Sequence, residues 1–295
     1  MAGRAAQLLA LGTLFLLSAI ASAAGAAAPP TFACTDIGPK PTPATIVGSN
    51  GNDTISGTPG RDVIAGLGGD DAIDGGGGGD LICGGDGNDR IAGGAGEDVI
   101  SGDAGNDVVD GGTQPSRGGL DFVAYDASPG QVEASLAAGT AVGWGTDQIT
   151  GIEGVSGSPF GDSLTGDSRD NVLLGQRGSD ALSGTRGSDL LSGTEGDDRL
   201  NGGAGADLAL YEHSPRSVRV DLSRGFARGW GRDRLRSIED VVGSARADRI
   251  VGGPGANDLW GLGGSDYIDG RAGRDRAFGG PGRDRCVRVE VRSSC

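Results

Sequence analysis

The sequence predicts an all-β solenoid, a fold in which the short strands of successive repeats stack on one another. The first observation is a nine-residue period that runs without a gap from Gly48: GSNGNDTIS, GTPGRDVIA, GLGGDDAID, GGGGGDLIC, GGDGNDRIA, GGAGEDVIS and GDAGNDVVD. The second is that each block has Gly first, usually Gly fourth, Asp sixth and an aliphatic residue eighth. One period therefore specifies both a repeated core contact and a repeated chemical site.

The block from Gly93 to Ser101 shows what each half is expected to do. Glycines reach positive φ and allow close backbone approach, so GGAG predicts a tight turn with exposed carbonyls. The second half suits a strand of about three residues. Because neighbouring strand side chains face opposite ways, Ile100 is expected to point inward and Val99 and Ser101 outward. So short a strand must stack on the strand of another block.

The turns are acidic and rich in carbonyls, which is the ligand chemistry that calcium prefers. Calcium takes roughly six to eight oxygen ligands, so one turn supplies too few and two stacked turns supply enough. A Gly/Asp-rich disordered tract is the alternative interpretation, because high charge with few aromatics is typical of disorder. Strict spacing of the apolar residues favours the ordered repeat. The inward row is Ile55, Ile64, Ile73, Ile82, Ile91, Ile100 and Val109. The sixth-position acids are Asp53, Asp62, Asp71, Asp80, Asp89, Asp98 and Asp107.

This pattern resembles the RTX nonapeptide, GGxGxDxUx, of bacterial calcium-binding β-roll proteins. The resemblance implies a right-handed parallel β-roll with two blocks per coil. It also implies that calcium lies between turns on the same side, held by the Asp of one block, the Asp two blocks later and turn carbonyls. Several Ca²⁺ ions are therefore expected as the cofactor.

The period resumes at Gly157 and again at Gly243, so three arrays are predicted. Two blocks carry Asn at the sixth position, and an amide oxygen brings no charge, so weaker sites are expected there. Asp170 and Asp258 are candidate substitutes. The sixth-position metal ligands of these arrays are Asp162, Asn171, Asp180, Asp189, Asp198, Asp207, Asp248, Asn257, Asp266, Asp275 and Asp284.

Two longer segments between the arrays are copies of each other. They begin at Asp121 and Asp207 and align without a gap, pairing Tyr125 with Tyr211 and Trp144 with Trp230. The alignment also pairs Pro129 with Pro215, Leu136 with Leu222, Asp147 with Asp233, and Glu153 with Glu239. Alternating apolar residues indicate half-buried strands, so both segments are interpreted as widened coils of the solenoid.

The paired Trp and Tyr residues allow two interpretations. Exposed aromatic side chains form a stacking platform for glycans, whereas buried ones serve core packing. Core packing is the favoured expectation in a chain with so few aromatic residues.

The N-terminus is typical of a signal peptide. Arg4 precedes a Leu-rich run, and small residues follow, with cleavage after Ala23, Ala26 or Ala28. We therefore expect a secreted chain with no transmembrane segment after cleavage. The predicted organisation is a signal peptide over 1–28, an N-terminal cap over 29–47, a first array over 48–112, a first intercalated coil over 113–156, a second array over 157–206, a second intercalated coil over 207–242, a third array over 243–287 and a C-terminal tail over 288–295.

The four cysteines of an exported chain are expected to form disulfides. The favoured pairing is Cys34 with Cys83 at the N-terminal cap and Cys286 with Cys295 at the tail, because solenoid ends need capping. Free buried thiols or another connectivity are the alternatives.

Charge is distributed unevenly although the net charge is −15. From Gly48 to Asp110 there are 13 acids and 2 arginines, whereas from Asp207 to Cys295 there are 13 acids and 16 arginines. Arg274 and Arg276 flank Asp275 and are expected to provide counter-charge. The hypothesis is that the first array binds calcium tightly and that the third binds it weakly or depends on it less. The basic third is interpreted as a neutralised solvated face, or as a contact for an acidic partner or cell surface.

No catalytic motif is found in the sequence. The single histidine, His213, excludes an HExxH zinc site, and neither a GxSxG elbow nor a P-loop ending is present. The repeated acids are better explained by their periodicity than as glycosidase carboxylates. We therefore predict a non-catalytic, secreted calcium-binding protein that is structural or surface-associated and folds on calcium. A calcium-dependent adhesin or glycan-binding module, with cell-surface or extracellular polysaccharide as partner, is the alternative, and an enzyme of another type is a third. No nucleic-acid partner is expected.

Overall fold

The computed structural model describes residues 44–113 and 119–295. These divide into two compact units. The first comprises the residues up to Gly130 together with Ala138–Ser156, and the second comprises Gln131–Ala137 and Gly157–Cys295. Within the described residues, the one helical element is a short 3-10 turn, Leu222–Arg224. No helix among them is long and apolar enough to cross a membrane.

The first unit has strands on two faces. One face contains β1 Ile46–Val47, β3 Val63–Gly68, β5 Leu81–Asp86, β7 Val99–Ala104, β9 Phe122–Ala124 and β13 Gly154–Ser156. The other contains β2 Thr54–Ser56, β4 Ala72–Asp74, β6 Arg90–Ala95, β8 Val108–Thr113, β12 Thr146–Thr150 and β11 Thr140–Val142.

The second unit repeats this arrangement. One face contains β15 Val172–Leu174, β17 Leu190–Ser192, β19 Leu208–Leu210, β23 Asp240–Val242, β25 Asp258–Trp260, β27 Arg276–Phe278 and β29 Val291–Ser293. The other contains β10 Glu133–Ser135, β14 Ser163–Thr165, β16 Ala181–Arg186, β18 Arg199–Ala204, β22 Arg232–Arg236, β21 Phe226–Arg228, β20 Arg219–Asp221, β24 Arg249–Val251, β26 Tyr267–Asp269 and β28 Arg285–Val287.

Within the arrays each strand pairs in parallel with the strand 18 residues later. Ile64 lies opposite Ile82, and Ile82 lies opposite Ile100, on one face. Ile73 lies opposite Ile91 on the other face. Two nonapeptides therefore form each coil, and the predicted parallel β-roll is confirmed.

The eighth-position side chains form the core between the two faces. They are almost completely buried along the arrays, and a β-branched or Leu side chain at this position packs against its equivalent one coil away. The buried members are Ile55, Ile64, Ile73, Ile82, Ile91, Ile100, Val109, Leu164, Leu173, Leu182, Leu191, Leu200, Ala209, Ile250, Leu259, Ile268, Ala277 and Cys286.

Two features of the strands differ from expectation. Several strands are six residues long, such as β5, because the turn residues also pair: Leu67 lies opposite Gly85. On one face of each unit, outward side chains are buried as well, including Leu81 and Ser101 in the first unit and Leu190 in the second. Apolar residues at the seventh position there give no polar alternation, so strand periodicity predicted only the inward side.

The second intercalated coil contains antiparallel strands inside an otherwise parallel stack. Strand β21 pairs antiparallel with both β20 and β22, while β20 pairs in parallel with β24. The first coil contains the matching antiparallel pair of β11 with β12. A widened coil therefore carries a hairpin, which the alternation pattern alone did not predict.

Burial separates the two kinds of aromatic residue in these coils. Tyr125 and Tyr211 are buried, as the core-packing interpretation expects. For Trp144 that interpretation is wrong, because its side chain is 38% exposed. Trp144 lies between Gly143 and Gly145 at the tip of the β11–β12 hairpin, away from the core, and Trp230 occupies the same position between β21 and β22.

Disulfides involve all cysteines of the described part of the chain. Cys286 and Cys295 are joined, with Cα atoms 5.6 Å apart. Cys83 is disulfide-bonded and buried, and its predicted partner Cys34 lies outside the described residues, as does the predicted signal peptide.

Candidate metal centre

Most sixth-position carboxylates accept a hydrogen bond from the backbone one coil earlier. The Oδ1 atom of Asp71 accepts the N–H of Asp53 at 2.8 Å, and Oδ1 of Asp89 accepts the N–H of Asp71 at 2.8 Å. The same bond joins Asp162 to Asp180 in the second unit at 2.8 Å. We call each continuous series of these bonds an Asp ladder. Because odd and even blocks lie on opposite turns, each unit has ladders on both of its turn sides.

The ladders include every predicted metal ligand. In the first unit they run through Asp53, Asp71, Asp89 and Asp107, and through Asp62, Asp80 and Asp98. In the second they join Asp162, Asp180 and Asp198; Asn171, Asp189 and Asp207; Asp248, Asp266 and Asp284; and Asn257 and Asp275.

Six acids at ladder positions were missed by the sequence prediction. Asp147 and Asp233 accept the N–H of Asp107 and Asp198, across 40 and 35 residues. The 18-residue spacing fails where a coil is widened or the array ends, so periodicity could not find them. For five of the six, the matched places in the two coil copies were the available signal, whereas Glu290 lies after the last array. The six are Asp121, Asp147, Glu153, Asp233, Glu239 and Glu290.

The second carboxylate oxygen is the distinctive atom of this site. In most ladder residues Oδ2 is buried and has no hydrogen-bond partner. Burying an unpaired carboxylate oxygen is costly, so this row of atoms calls for a cation. The predicted ligands with such an oxygen are Asp71, Asp80, Asp89, Asp98, Asp107, Asp180, Asp189, Asp198, Asp207, Asp266, Asp275 and Asp284.

Burial disfavours the charged form of these acids. It raises the pKa of Asp89 to about 6, that of Asp107 to about 7 and that of Asp180 to about 8. The ladder N–H bond lowers the pKa of each group, and neighbouring acids of the ladder raise it further. Without a cation the ladder is therefore electrostatically unfavourable at neutral pH.

Glycine backbone and carbonyl oxygens surround the unpaired oxygens. A Cβ atom at first-position Gly84 would lie 2.2 Å from Oδ2 of Asp89 and 2.8 Å from the carbonyl oxygen of Gly102. At fourth-position Gly96, with φ of +149°, a Cβ would lie 1.5 Å from the carbonyl oxygen of Gly78. These glycines hold open a cradle lined by oxygens of successive coils, which fits calcium.

Side chains alone do not complete a metal site. Among residues 44–113 and 119–295, no three His, Cys, Asp or Glu side chains group together as metal ligands. A cation at the ladder must therefore take most of its ligands from backbone carbonyls. Calcium tolerates such a ligand set, whereas zinc takes nitrogen and sulfur ligands.

The first blocks of each array lack the unpaired oxygen. In Asp62, Oδ2 accepts both the N–H and the hydroxyl of Thr58, and Asp53 is bonded by Ser49 in the same way. Asp162 and Asp248 are bonded by Ser158 and Ser244 at the start of the other arrays. In these first blocks a Ser or Thr at the second position therefore satisfies the carboxylate within its own turn. In later blocks the hydroxyls of Thr185 and Thr194 donate instead to the carbonyl oxygens of Asp167 and Gln176.

The two Asn blocks also differ from the Asp blocks. The Asn257 amide donates from Nδ2 to the carbonyl oxygen of Glu239 at 2.6 Å. The Asn257 side chain thus places an N–H donor against this carbonyl oxygen, where an Asp would place a second carboxylate oxygen. The suggested substitute Asp258 is not available, because its carboxylate pairs with Arg276. Asp170 instead accepts the N–H of Ser188 on the turn surface.

In each intercalated coil a tyrosine hydroxyl donates a hydrogen bond to the second oxygen of a ladder acid. The Tyr125 hydroxyl donates to Oδ2 of Asp147 at 2.9 Å, and Tyr211 donates to Oδ2 of Asp233 at 3.0 Å. Burial raises the pKa of both tyrosines well above the usual value, so the hydroxyls remain protonated donors. Each coil thus satisfies its ladder acid internally.

A second ladder on the turn surface was not predicted. The fifth-position side chain accepts the N–H of the residue one coil later: Asp70 donates its N–H to Asn52, and Asn88 to Asp70. Asn106 continues the series toward Thr146. Asn and Asp at the fifth position therefore hold successive turns together from outside.

The prediction that Arg274 and Arg276 supply counter-charge to Asp275 is wrong. Arg276 pairs with Asp258, on the strand one coil earlier, because a seventh-position side chain leaves the strand on the outer face. Within the described residues, neither Arg274 nor Arg276 forms an ion pair with Asp275. The gradient of calcium affinity among arrays stays a prediction.

The comparisons with known proteins agree with this geometry. A family model described as RTX calcium-binding nonapeptide repeat (4 copies) matches residues 47–82, 84–114, 156–191, 183–209, 242–277 and 251–286, which together span more than half of the chain. No curated protein matches the chain.

Alanine substitution of a fourth-position glycine tests the cradle. Gly96→Ala places a methyl group against the carbonyl oxygen of Gly78 at unfavourable φ, so we expect the calcium-loaded protein to lose roughly 2 kcal/mol or more of stability. Gly255 has the same place in its block but has no atom within 4 Å of its Cβ position, so Gly255→Ala should change stability by less than about 0.5 kcal/mol. Thermal unfolding in calcium measures both, and equal losses would contradict the cradle.

The raised pKa values predict a pH effect in calcium-free protein. Folded-state pKa values of about 6 to 8 lie above the unfolded value of about 3.8, so the folded state binds more protons between these pH values. Stability of the calcium-free fold is therefore greatest at about pH 4 and falls as the pH rises to 8. Circular dichroism of resin-demetallated protein should show more β-structure at pH 5 than at pH 8. A pH-independent spectrum would contradict this.

Proposed function

The chain belongs to the RTX calcium-binding nonapeptide repeat family, and on that basis we propose that it is a secreted, non-catalytic protein that folds when calcium binds. Calcium binding itself, at several sites, follows from the family and from the repeated acids. The observation that carries the proposal is the row of buried, unpartnered Oδ2 atoms, because a folded chain at neutral pH needs positive charge beside them.

We assign the strongest sites to the Asp residues whose Oδ2 is unpaired. Asp53, Asp62, Asp162 and Asp248 begin the arrays and already receive two hydrogen bonds each from their own turns, so their contribution is expected to be smaller. Asn171 and Asn257 bring no charge and are expected to be the weakest. Bound calcium would neutralise the carboxylates and accept the turn carbonyls as ligands.

Coupling between calcium and folding follows from composition. Apolar content is modest and charge is high, so the metal-free chain gains little from burial and suffers repulsion along each ladder. A ligand that binds only the folded state adds its binding free energy to stability. The protein is then loose where calcium is scarce and folded where calcium is plentiful, outside the cell.

Secretion is supported by two features of the sequence and structure. The signal-peptide pattern over 1–28 lies outside the described residues, so its support comes from the sequence. The Cys286–Cys295 disulfide suits an oxidising compartment.

The absence of catalysis is proposed from the use made of the acids. Each carboxylate receives a backbone N–H in a repeated structural position, from Asp71 to Asp284. A pair of catalytic carboxylates would instead have two distinct environments at one place. The repeat therefore accounts for the acids without a reaction.

A calcium-dependent adhesin or glycan-binding module is the second candidate. It is favoured by the exposure of Trp144 at a hairpin tip, where an aromatic face can contact a sugar ring. Trp230 occupies the matching tip but is only partly exposed.

Calcium removal tests the proposed function directly. Far-ultraviolet circular dichroism of the mature chain at pH 8 should show β-structure in millimolar calcium and a largely unordered spectrum in EGTA, because the ladders repel without a cation. Magnesium at the same concentration serves as control, since it requires smaller, more rigid octahedral sites. A fully folded spectrum in EGTA would refute the proposal.

A single ladder substitution tests the assigned sites. Asp89→Asn keeps an acceptor for the N–H of Asp71 but replaces the unpaired oxygen with a donor, as in the natural Asn257 block. We expect calorimetry to show fewer bound calcium ions, or affinity in this array weakened about tenfold. Asp74→Asn removes the same charge from an exposed strand face and should leave stoichiometry unchanged. Equal effects of the two variants would contradict the assignment.

A further inference from the structure

Arginines line up across one exposed face of the second unit. Five arginines and one tyrosine are adjacent Cα partners on six neighbouring strands, and we call them the arginine row. In order across the sheet they are Arg232, Arg228, Arg219, Arg249, Tyr267 and Arg285. Neighbouring strands are ~4.8 Å apart, so the row is about 24 Å long. All five arginines are exposed.

The arginine row is electrostatically unfavourable by itself. Like charges placed directly opposite each other on neighbouring strands destabilise a sheet. Within the described residues, none of the five arginines forms an ion pair. The nearby acids of this face have other partners: Asp221 pairs with Arg224 and Arg271, and Asp269 pairs with Arg288. Protein stability therefore does not explain the row.

The other intercalated coil shows that the fold does not require these arginines. In the gap-free alignment of the two copies, Arg232, Arg228 and Arg219 correspond to Thr146, Val142 and Glu133. Thr146 and Val142 pair in the same antiparallel register that Arg232 and Arg228 adopt. Arg249 and Tyr267 correspond to Ser163 and Ala181, which also pair. The same coil thus forms with uncharged residues or an acid.

Aromatic rings support the guanidinium groups. Arg249 lies 4.3 Å from the centre of the Tyr267 ring, and Arg285 lies 5.8 Å from it. Arg219 and Arg228 lie 5.9 and 5.6 Å from the Phe226 ring. Stacking on a ring fixes a guanidinium while its edge N–H groups stay free to bind a carboxylate or sulfate in bidentate fashion.

A pocket adjoins one end of the row. It has a volume of about 390 Å³. Four arginines line it, together with Phe226, Ala227 and three aspartates: Arg199, Arg228, Arg232 and Arg234, and Asp197, Asp198 and Asp233. Arg199 and Arg234 are themselves adjacent across two strands. The row thus ends at a concave recess in which arginines outnumber aspartates by four to three.

We propose that the arginine row binds a linear acidic polysaccharide, a glycan that carries carboxylate or sulfate groups along its length. A straight row of bidentate donors is complementary to a chain of regularly spaced planar or tetrahedral anions. Single-stranded nucleic acid fits less well, because its affinity relies on open aromatic faces for base stacking, and arginines occupy those of Phe226 and Tyr267. This inference adds a partner to the proposed function and rests on its folded, calcium-loaded state.

Binding of the full mature chain to heparin, in millimolar calcium at fixed ionic strength, tests the proposal. The variant R228V/R232T/R249S carries the residues found at the matching positions of the first coil and of the block that follows it, so it is expected to fold. We expect it to bind heparin at least about tenfold more weakly than the parent chain. The control R246Q/R274Q/R283Q makes the same charge change at three exposed turn arginines outside the row, so it should bind heparin within about twofold of the parent.

The outcomes separate the surface from the calcium-dependent fold. Circular dichroism in calcium reports whether each variant is folded, so a folded parent chain that ignores heparin overturns the arginine row alone. Equal loss of binding in the two variants overturns it in favour of diffuse charge. Tighter binding to single-stranded DNA or to anionic phospholipid vesicles than to heparin overturns the polysaccharide assignment, as does equal binding to neutral dextran.

Discussion

One hydrogen bond determines the geometry of the rest of the molecule: the backbone N–H of a sixth-position residue donates to the carboxylate one coil later. It fixes the height between coils and the register of their strands, because Asp53, Asp71 and Asp89 are joined at the same spacing as the strands beside them. It also uses only one carboxylate oxygen. The second is buried by the same packing, so coil stacking and the need for a cation have a single origin.

This bond also explains the positions of the glycines. Coils held so closely leave no space for a Cβ at the first position or at many of the fourth positions, where Gly84 faces the carboxylate of its own block and Gly96 faces a carbonyl oxygen of another turn. A β-solenoid without these acids could use larger turn residues. Here the turns are built from glycine, and the price in backbone entropy makes the metal-free chain harder to fold. The glycine-rich backbone therefore contributes to the calcium dependence of folding as much as the acids do.

The sequence predicted the parts of the fold that repeat. Period nine identified the inward row, including Ile82 and Leu191, and the acids of the ladders. It could not identify Asp147 or Glu239, because a ladder bond links residues by stacking, and a widened coil changes their separation in sequence. It also could not distinguish an Asp with an unpaired oxygen from one satisfied by a second-position Ser or Thr until the turns were placed. The arginine row could not be predicted from the sequence for the same reason, because its members are adjacent only across strands.

The two intercalated coils show which features are free to vary in this architecture. Both keep a tyrosine hydroxyl on the ladder acid, so a neutral donor can replace a cation where a coil must close without one. Their outer faces differ completely, with Thr146 and Val142 in one and Arg232 and Arg228 in the other. The ladder constrains the turns and the core constrains the inward side chains, but neither constrains the outward side chains. Differences in partner recognition can therefore arise on the outer face without any loss of calcium-dependent folding.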